Sequence, residues 1–123
     1  MKILEAITHT DILKPNSYTQ TEKVRWLSNL DGMIKTEIID THEGGEDIVF
    51  NGYNEETSLD TELIVPAPYV AVYIHYLEAQ IDYANGELAK YNNSMQMFNT
   101  AYSNFERFYN RTHMPKGNKF QYF

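Results

Sequence analysis

A chain of 123 residues, 42% hydrophobic and 22% charged, is sized for one packed domain and is too rich in apolar side chains for global disorder. It has no cysteine, which excludes disulfide frameworks, thiolate metal sites and cysteine nucleophiles. A net charge of -7 gives no general grip on phosphates, so sequence-specific nucleic-acid binding is not expected, and no apolar run approaches the roughly eighteen residues of a membrane span.

The charge is unevenly spread. Residues 44 to 66 hold Glu46, Asp47, Glu55, Glu56, Asp60 and Glu62 against no Lys or Arg, whereas residues 113 to 123 hold Lys116 and Lys119 against no acid. The amino terminus, Met1-Lys2-Ile3-Leu4-Glu5, meets an acid before a secretory core can form, so an intracellular compartment is the expected location.

Residues 2 to 10 predict a short helix through Ile3, Leu4 and Ile7, stopped by Lys14-Pro15-Asn16. Two overlapping capping boxes follow, Ser17 with Gln20 and Thr19 with Glu22, and start a second helix. Its apolar stripe is Val24, Leu27, Leu30, Ile34 and Ile38, helped by Trp26 and Met33, and runs to about Thr41, with Gly32 a tolerated weak point and Gly44-Gly45 the stop. The period then changes. Asp47-Ile48-Val49-Phe50 and Glu62-Leu63-Ile64-Val65 are β-leaning runs around a polar stretch, which predicts a small hairpin or a long loop with strand-like edges. Long ordered connections are often functional, so this acidic segment is either a solvated loop or a protrusion that touches a neighbour or lines a channel.

From Ala67 to Thr112 the apolar and aromatic positions Val70, Ile74, Leu77, Ile81, Ala84, Leu88, Tyr91, Met95, Phe98, Tyr102, Phe105 and Tyr109 alternate spacings of four and three, a helical seam. A single rod of that length would span about 70 Å. A break is therefore expected, at Gly86 or at Asn92-Asn93-Ser94, where residues that disfavour helix interiors occur. Tyr69, Tyr73, Tyr76, Tyr83, Tyr102 and Tyr109 give this segment rings suited to core or inter-subunit contact. Pro115 and Gly117 end the helical run, and Lys119-Phe120-Gln121-Tyr122-Phe123 put three aromatics in five positions, which suggests folding back or docking on a partner.

The expected class is mainly α: a small helical bundle with long C-terminal helices and a β-hairpin or long loop inserted around residues 46–66. Residues 1–117 form one domain and 118–123 a tail.

Chemistry is sparse. His75, Glu78 and Asp82 share one helical face, but a di-iron bundle needs a second His-bearing helix, so a hydrogen-bonded surface pair is the plainer reading. His42 with Glu43, Glu46 and Asp47 is weaker still as a metal set. No P-loop, nucleophile elbow, dinucleotide fingerprint or H-E-x-x-H occurs. Neither a catalytic role nor a cofactor is expected. A DNA-reading helix would need more cations than Lys90, Arg107 and Arg111 supply, and the two arginines also suit the negative end of a helix.

The chain resembles the small head–tail connector (adaptor, or head-completion) proteins of tailed bacteriophages and prophages. The resemblance rests on Arg25-Trp26-Leu27-Ser28-Asn29-Leu30-Asp31-Gly32, on Asp60-Thr61-Glu62-Leu63 to Pro68-Tyr69, on Tyr76-Leu77-Glu78-Ala79-Gln80-Ile81-Asp82-Tyr83, and on Tyr91-Asn92-Asn93-Ser94-Met95 to Asn110-Arg111-Thr112-His113-Met114-Pro115. It covers residues 3 to 117 and leaves 118–123 outside. The resemblance implies a helical subunit that forms a homo-oligomeric ring, commonly twelve-fold, beneath the portal protein, at the neck of a virion put together in the bacterial cytoplasm. The ring joins the capsid to a downstream tail or stopper protein, and DNA passes through it without specific binding.

On that reading Glu46, Asp47, Glu55, Glu56, Asp60 and Glu62 face the channel or the next ring, where negative charge repels a phosphate backbone. Lys116, Lys119, Phe120, Tyr122 and Phe123 grip the portal or a neighbouring ring. The alternative is a small helical DNA-packaging factor that binds nucleic acid, as a small terminase subunit does. A metal carrier or enzyme built on His75 ranks third.

Overall fold

In a computed structural model, which describes residues 1–117, four helices carry the chain: α1 (Ile3–Leu13), α2 (Gln20–Glu37), α3 (Ala71–Ala84) and α4 (Leu88–Thr112). No strand forms among the described residues, so the class is mainly α with a long loop in place of a hairpin.

The N-terminal helices form where the sequence places them. Helix α1 buries Ile3, Ala6, Ile7 and Thr10 along one side, and Glu5 closes its first turn by accepting from the Lys2 N–H at 2.8 Å. Thr19, the second of the two candidate caps, starts α2 by accepting from the Glu22 N–H at 3.2 Å. Helix α2 stops at Glu37, four residues earlier than expected, because Ile39–Thr41 tightens into a 3-10 turn. Lys35 fixes that turn by bonding Asp40 and the Gly45 carbonyl oxygen. Gly45 is required there, since a Cβ would run into the Ile39 carbonyl.

The two β-leaning runs find no common partner. Asp47 ends a second 3-10 turn (Gly45–Asp47), and Ile48 and Val49 are exposed. Around Glu62–Val65 the donors are taken elsewhere: Leu63 N–H by the Met1 carbonyl at 2.9 Å, Ile64 N–H by Asp31 at 3.1 Å and Val65 N–H by the Tyr73 hydroxyl at 2.7 Å. Only an isolated bridge, Lys2 with Glu62, resembles sheet pairing at that edge.

The third helical segment begins at Ala71 rather than Ala67, after a turn closed by Tyr69 N–H to the Pro66 carbonyl, and it breaks at Gly86, the first of the two candidate positions. Gly86 adopts φ +74°, open to glycine and strained for other residues. The break folds the seam onto itself. Ring contacts Tyr69–Phe108, Tyr76–Phe98 and Tyr83–Tyr91, with centroids 4.8, 5.2 and 5.3 Å apart, set α3 and α4 antiparallel. Ile74, Leu77, Ile81, Phe98, Phe105 and Tyr109 are buried, while Ala84 and Leu88 sit exposed at the bend.

The core joins Leu77, Phe98, Phe105 and Tyr109 to Leu27, Leu30, Ile34, Ile38 and Ile39 of the α2 region and to Leu63 and Val65 of the loop. Each fully buried aliphatic side chain contributes about 1.5–3 kcal/mol. Helix α3 is central: it packs against α1, α2 and α4, whereas α1 and α4 make no substantial contact with each other.

Candidate assembly surfaces

The acidic loop is held from beneath by one carboxylate. Asp31 lies in phase with Leu27 and Ile34 on the buried side of α2 and is itself fully buried. It accepts the Tyr53 hydroxyl at 2.5 Å, the Tyr73 hydroxyl at 2.7 Å and the Ile64 N–H at 3.1 Å. Burial pushes the Asp31 carboxyl above its ordinary range, and those three donors pull it back in part. Burial, with Asp31 alongside, also drives the Tyr53 and Tyr73 phenols far up, so both stay protonated donors. Ser28 adds a fourth tie, accepting the Tyr53 N–H at 2.9 Å. Glu46, Asp47, Glu55, Glu56, Asp60 and Glu62 all remain exposed above this anchor. Two of them have cationic neighbours: Glu62 lies 3.1 Å from the Met1 ammonium and Glu46 lies 3.8 Å from the Lys116 ammonium.

That second pair joins the two charged regions. Residues 113–117 return to the turn after α2 through Glu43 N–H to the Met114 carbonyl at 2.7 Å and Lys116 N–H to the Thr41 carbonyl at 2.9 Å. Buried His42 sits under this junction. Its ring nitrogens meet the Ile38 carbonyl oxygen at 2.6 Å and the Asn110 side-chain amide at 2.7 Å. Tyr109 packs edge-on against His42 and is stacked face to face with His113 at 3.8 Å. Lys116 is therefore placed beside the acidic segment. Lys119, Phe120, Tyr122 and Phe123 lie outside the described residues.

The tyrosines divide by depth. Tyr73 and Tyr109 are core residues, and Tyr69, Tyr76 and Tyr102 are half-buried against Phe108, Phe98 and Phe98 respectively. Tyr102 also donates to Glu37 at 2.7 Å, and burial raises its phenol. Tyr83 is exposed at the α3–α4 bend beside Tyr91.

The His75 face does not assemble a ligand set. His75 pairs with Glu78 at 3.2 Å, but Asp82 is buried and engaged by Lys14 at 2.6 Å and Ser94 at 2.8 Å. Among the described residues no three His or carboxylate side chains are grouped to hold a metal ion.

Two features escaped the sequence reading. Asp31 carried a signal, an acid in phase with an apolar stripe. The outer side of α1 carried one too, since Leu4, Ile12 and Leu13 fall off the buried stripe and are exposed around an open groove with Met1, Glu5 and Asp60. No helix is long and apolar enough to cross a membrane among the described residues. Comparison with protein-family models, with curated proteins and with solved structures returns no match to the chain.

Proposed function

We propose that the chain is a structural virion protein, a head–tail connector that assembles as a ring, commonly twelve-fold in such proteins, beneath the portal, extends the DNA channel and joins capsid to tail. One observation carries this reading: the four segments on which the resemblance rests meet in space. Asp31 of the first accepts the N–H of Ile64 in the second, Tyr69 of the second packs on Phe108 of the fourth, and Asp82 of the third accepts the hydroxyl of Ser94 in the fourth. The likeness thus spans one packed unit instead of scattered surface positions. The exposed acids of the 46–66 loop supply a surface that repels DNA, facing the channel or the next ring, and Lys116 with the residues after it supplies a portal contact.

The test is the mass of the purified chain alone and after mixing with the portal ring of the same virus. A portal-bound ring is expected; a portal ring of unchanged mass overturns the reading. An imaged ring with Glu46, Asp47, Glu55, Glu56, Asp60 and Glu62 all on its outer rim removes the channel assignment.

The alternative, a small-terminase-like packaging factor, is favoured by α4 alone, where Lys90, Arg107 and Arg111 outnumber Glu106. Three cations give a log–log salt dependence of affinity no steeper than about -3. A mobility-shift series across salt separates the readings, since a connector has almost no salt-dependent affinity for free DNA.

A further inference from the structure

We infer that copies of this chain associate head to tail through the outer side of α1 on one copy and the outer side of α4 on the next. This rests on the ring reading and names the surfaces that close it. Three observations converge.

The first is placement. Helices α1 and α4 each pack on α3 and not substantially on each other, so their outward sides are separate surfaces of the subunit. Two unlike, separated faces are what a heterologous contact uses.

The second is charge and apolar area. Helix α1 contains Glu5 and no Lys or Arg, its Asp11 being paired with Lys23 of α2, while α4 contains Lys90, Arg107 and Arg111 against Glu106. The α1 groove exposes Ile12 at 73% and Leu13 at 55%, and at its other end the acids Glu5 and Asp60 outnumber Lys2. Helix α4 exposes Met97 at 51%, with Arg107 and Arg111 further along and also exposed.

The third is height along the bundle. Asp82 accepts both Lys14, the residue after α1, and Ser94 of α4, so the carboxyl end of α1 and the region of Met97 stand at one level. From there Glu5 lies about 10 Å up α1 from Ile12, with Asp60 beyond it, and Arg107 and Arg111 lie about 15 and 21 Å up α4 from Met97. A rotation about an axis along the bundle preserves heights. It sets Met97 of one copy against Ile12 and Leu13 of the next, and the two arginines toward the acidic end of the groove.

The absence of cysteine makes the contact readable. Ile12→Cys and Met97→Cys are both exposed substitutions. The double variant, oxidised at rising protein concentration, is expected to give a ladder of disulfide-linked multimers on a non-reducing gel, and each single variant is expected to stay monomeric. Adding Arg107→Glu and Arg111→Glu should abolish the ladder, and Glu5→Lys with Asp60→Lys on the same chain should restore it. Dimers from either single variant, which signify a two-fold contact, or no ladder at any concentration, would overturn the assignment. Portal capture separates the two levels. A chain that binds portal without a ladder keeps the connector function and loses these surfaces, and a ladder without portal binding does the reverse.

Discussion

Tyr73 donates its phenol hydrogen to Asp31 at 2.7 Å while its oxygen accepts the Val65 N–H at 2.7 Å, so one side chain of α3 ties α2 to the end of the acidic loop. Asp31 in turn satisfies Tyr53 and the Ile64 N–H. Asp31→Ala strands three donors, Tyr73 buried and Tyr53 and Ile64 partly buried, and is expected to cost about 3 kcal/mol. Urea unfolding measures it. A cost under about 1 kcal/mol would mean that water replaces the carboxylate and that the loop is not anchored there.

The same residue sets a pH dependence. Because burial raises the Asp31 carboxyl above its unfolded value, the folded state takes up this proton first as pH falls. Its contribution to stability is complete below the unfolded pKa, near 4, and is lost as pH rises through the folded pKa. Between about pH 7 and about pH 4 the natural chain should therefore gain stability relative to Asp31→Asn, which does not titrate. Paired urea midpoints across that range check the sign. A relative loss on acidification would show that the three donors outweigh burial.

At the opposite end of the bundle, Lys14 and Ser94 converge on buried Asp82. Removing the carboxylate leaves a cation three-quarters buried with no counter-charge, so Asp82→Ala should cost about 3 kcal/mol. Lys14→Met should cost less, because Ser94 still donates to the acid. If the lysine change proves the larger, the pair is held chiefly by the packing of the lysine stem.

Under the C-terminal junction, His42 bonds the Ile38 carbonyl and Asn110 while the backbone of Glu43 and Thr41 holds Met114 and Lys116. His42→Ala is expected to cost about 2 kcal/mol and to speed amide exchange at Glu43 and Lys116, the two donors of that junction. Lys116→Ala should change stability by less than about 1 kcal/mol, since its pairing with Glu46 is half-exposed. Unchanged exchange in His42→Ala would assign the junction to its backbone bonds alone.

Local signals in the sequence were enough for the helices. Thr19 caps α2, Pro115 and Gly117 follow α4, and the four-three seam marks the buried sides of α3 and α4. What eluded it depended on partners distant along the chain. The propensity of Glu62–Val65 for extended backbone is real, but the groups that take its hydrogen bonds are Met1, Asp31 and Tyr73, which no local pattern specifies. The exposure of the six loop acids was legible because nothing apolar keeps pace with them. The approach of Lys116 to Glu46 was not, since seventy positions of sequence separate a pair that only the fold brings to 3.8 Å.

The bend at Gly86 carries the last prediction. The seam keeps helical phase through the break, so the preference for a hairpin over a straight rod rests on Asn85-Gly86-Glu87 and on ring pairs such as Tyr76–Phe98 that only the folded-back form can make within one chain. At φ +74° an alanine is strained by about 1–2 kcal/mol, while the same alanine favours a continuous helix by about 1 kcal/mol. Both terms act against the bend. Gly86→Ala is therefore expected to destabilise the monomer by about 2 kcal/mol and, at high concentration, to yield a dimer in which α4 of each copy packs on α3 of the other. Sedimentation velocity against concentration reads the dimer, and urea unfolding of the dilute protein reads the strain. A variant that stays monomeric with unchanged stability would mean that Asn85 and Glu87 alone impose the reversal.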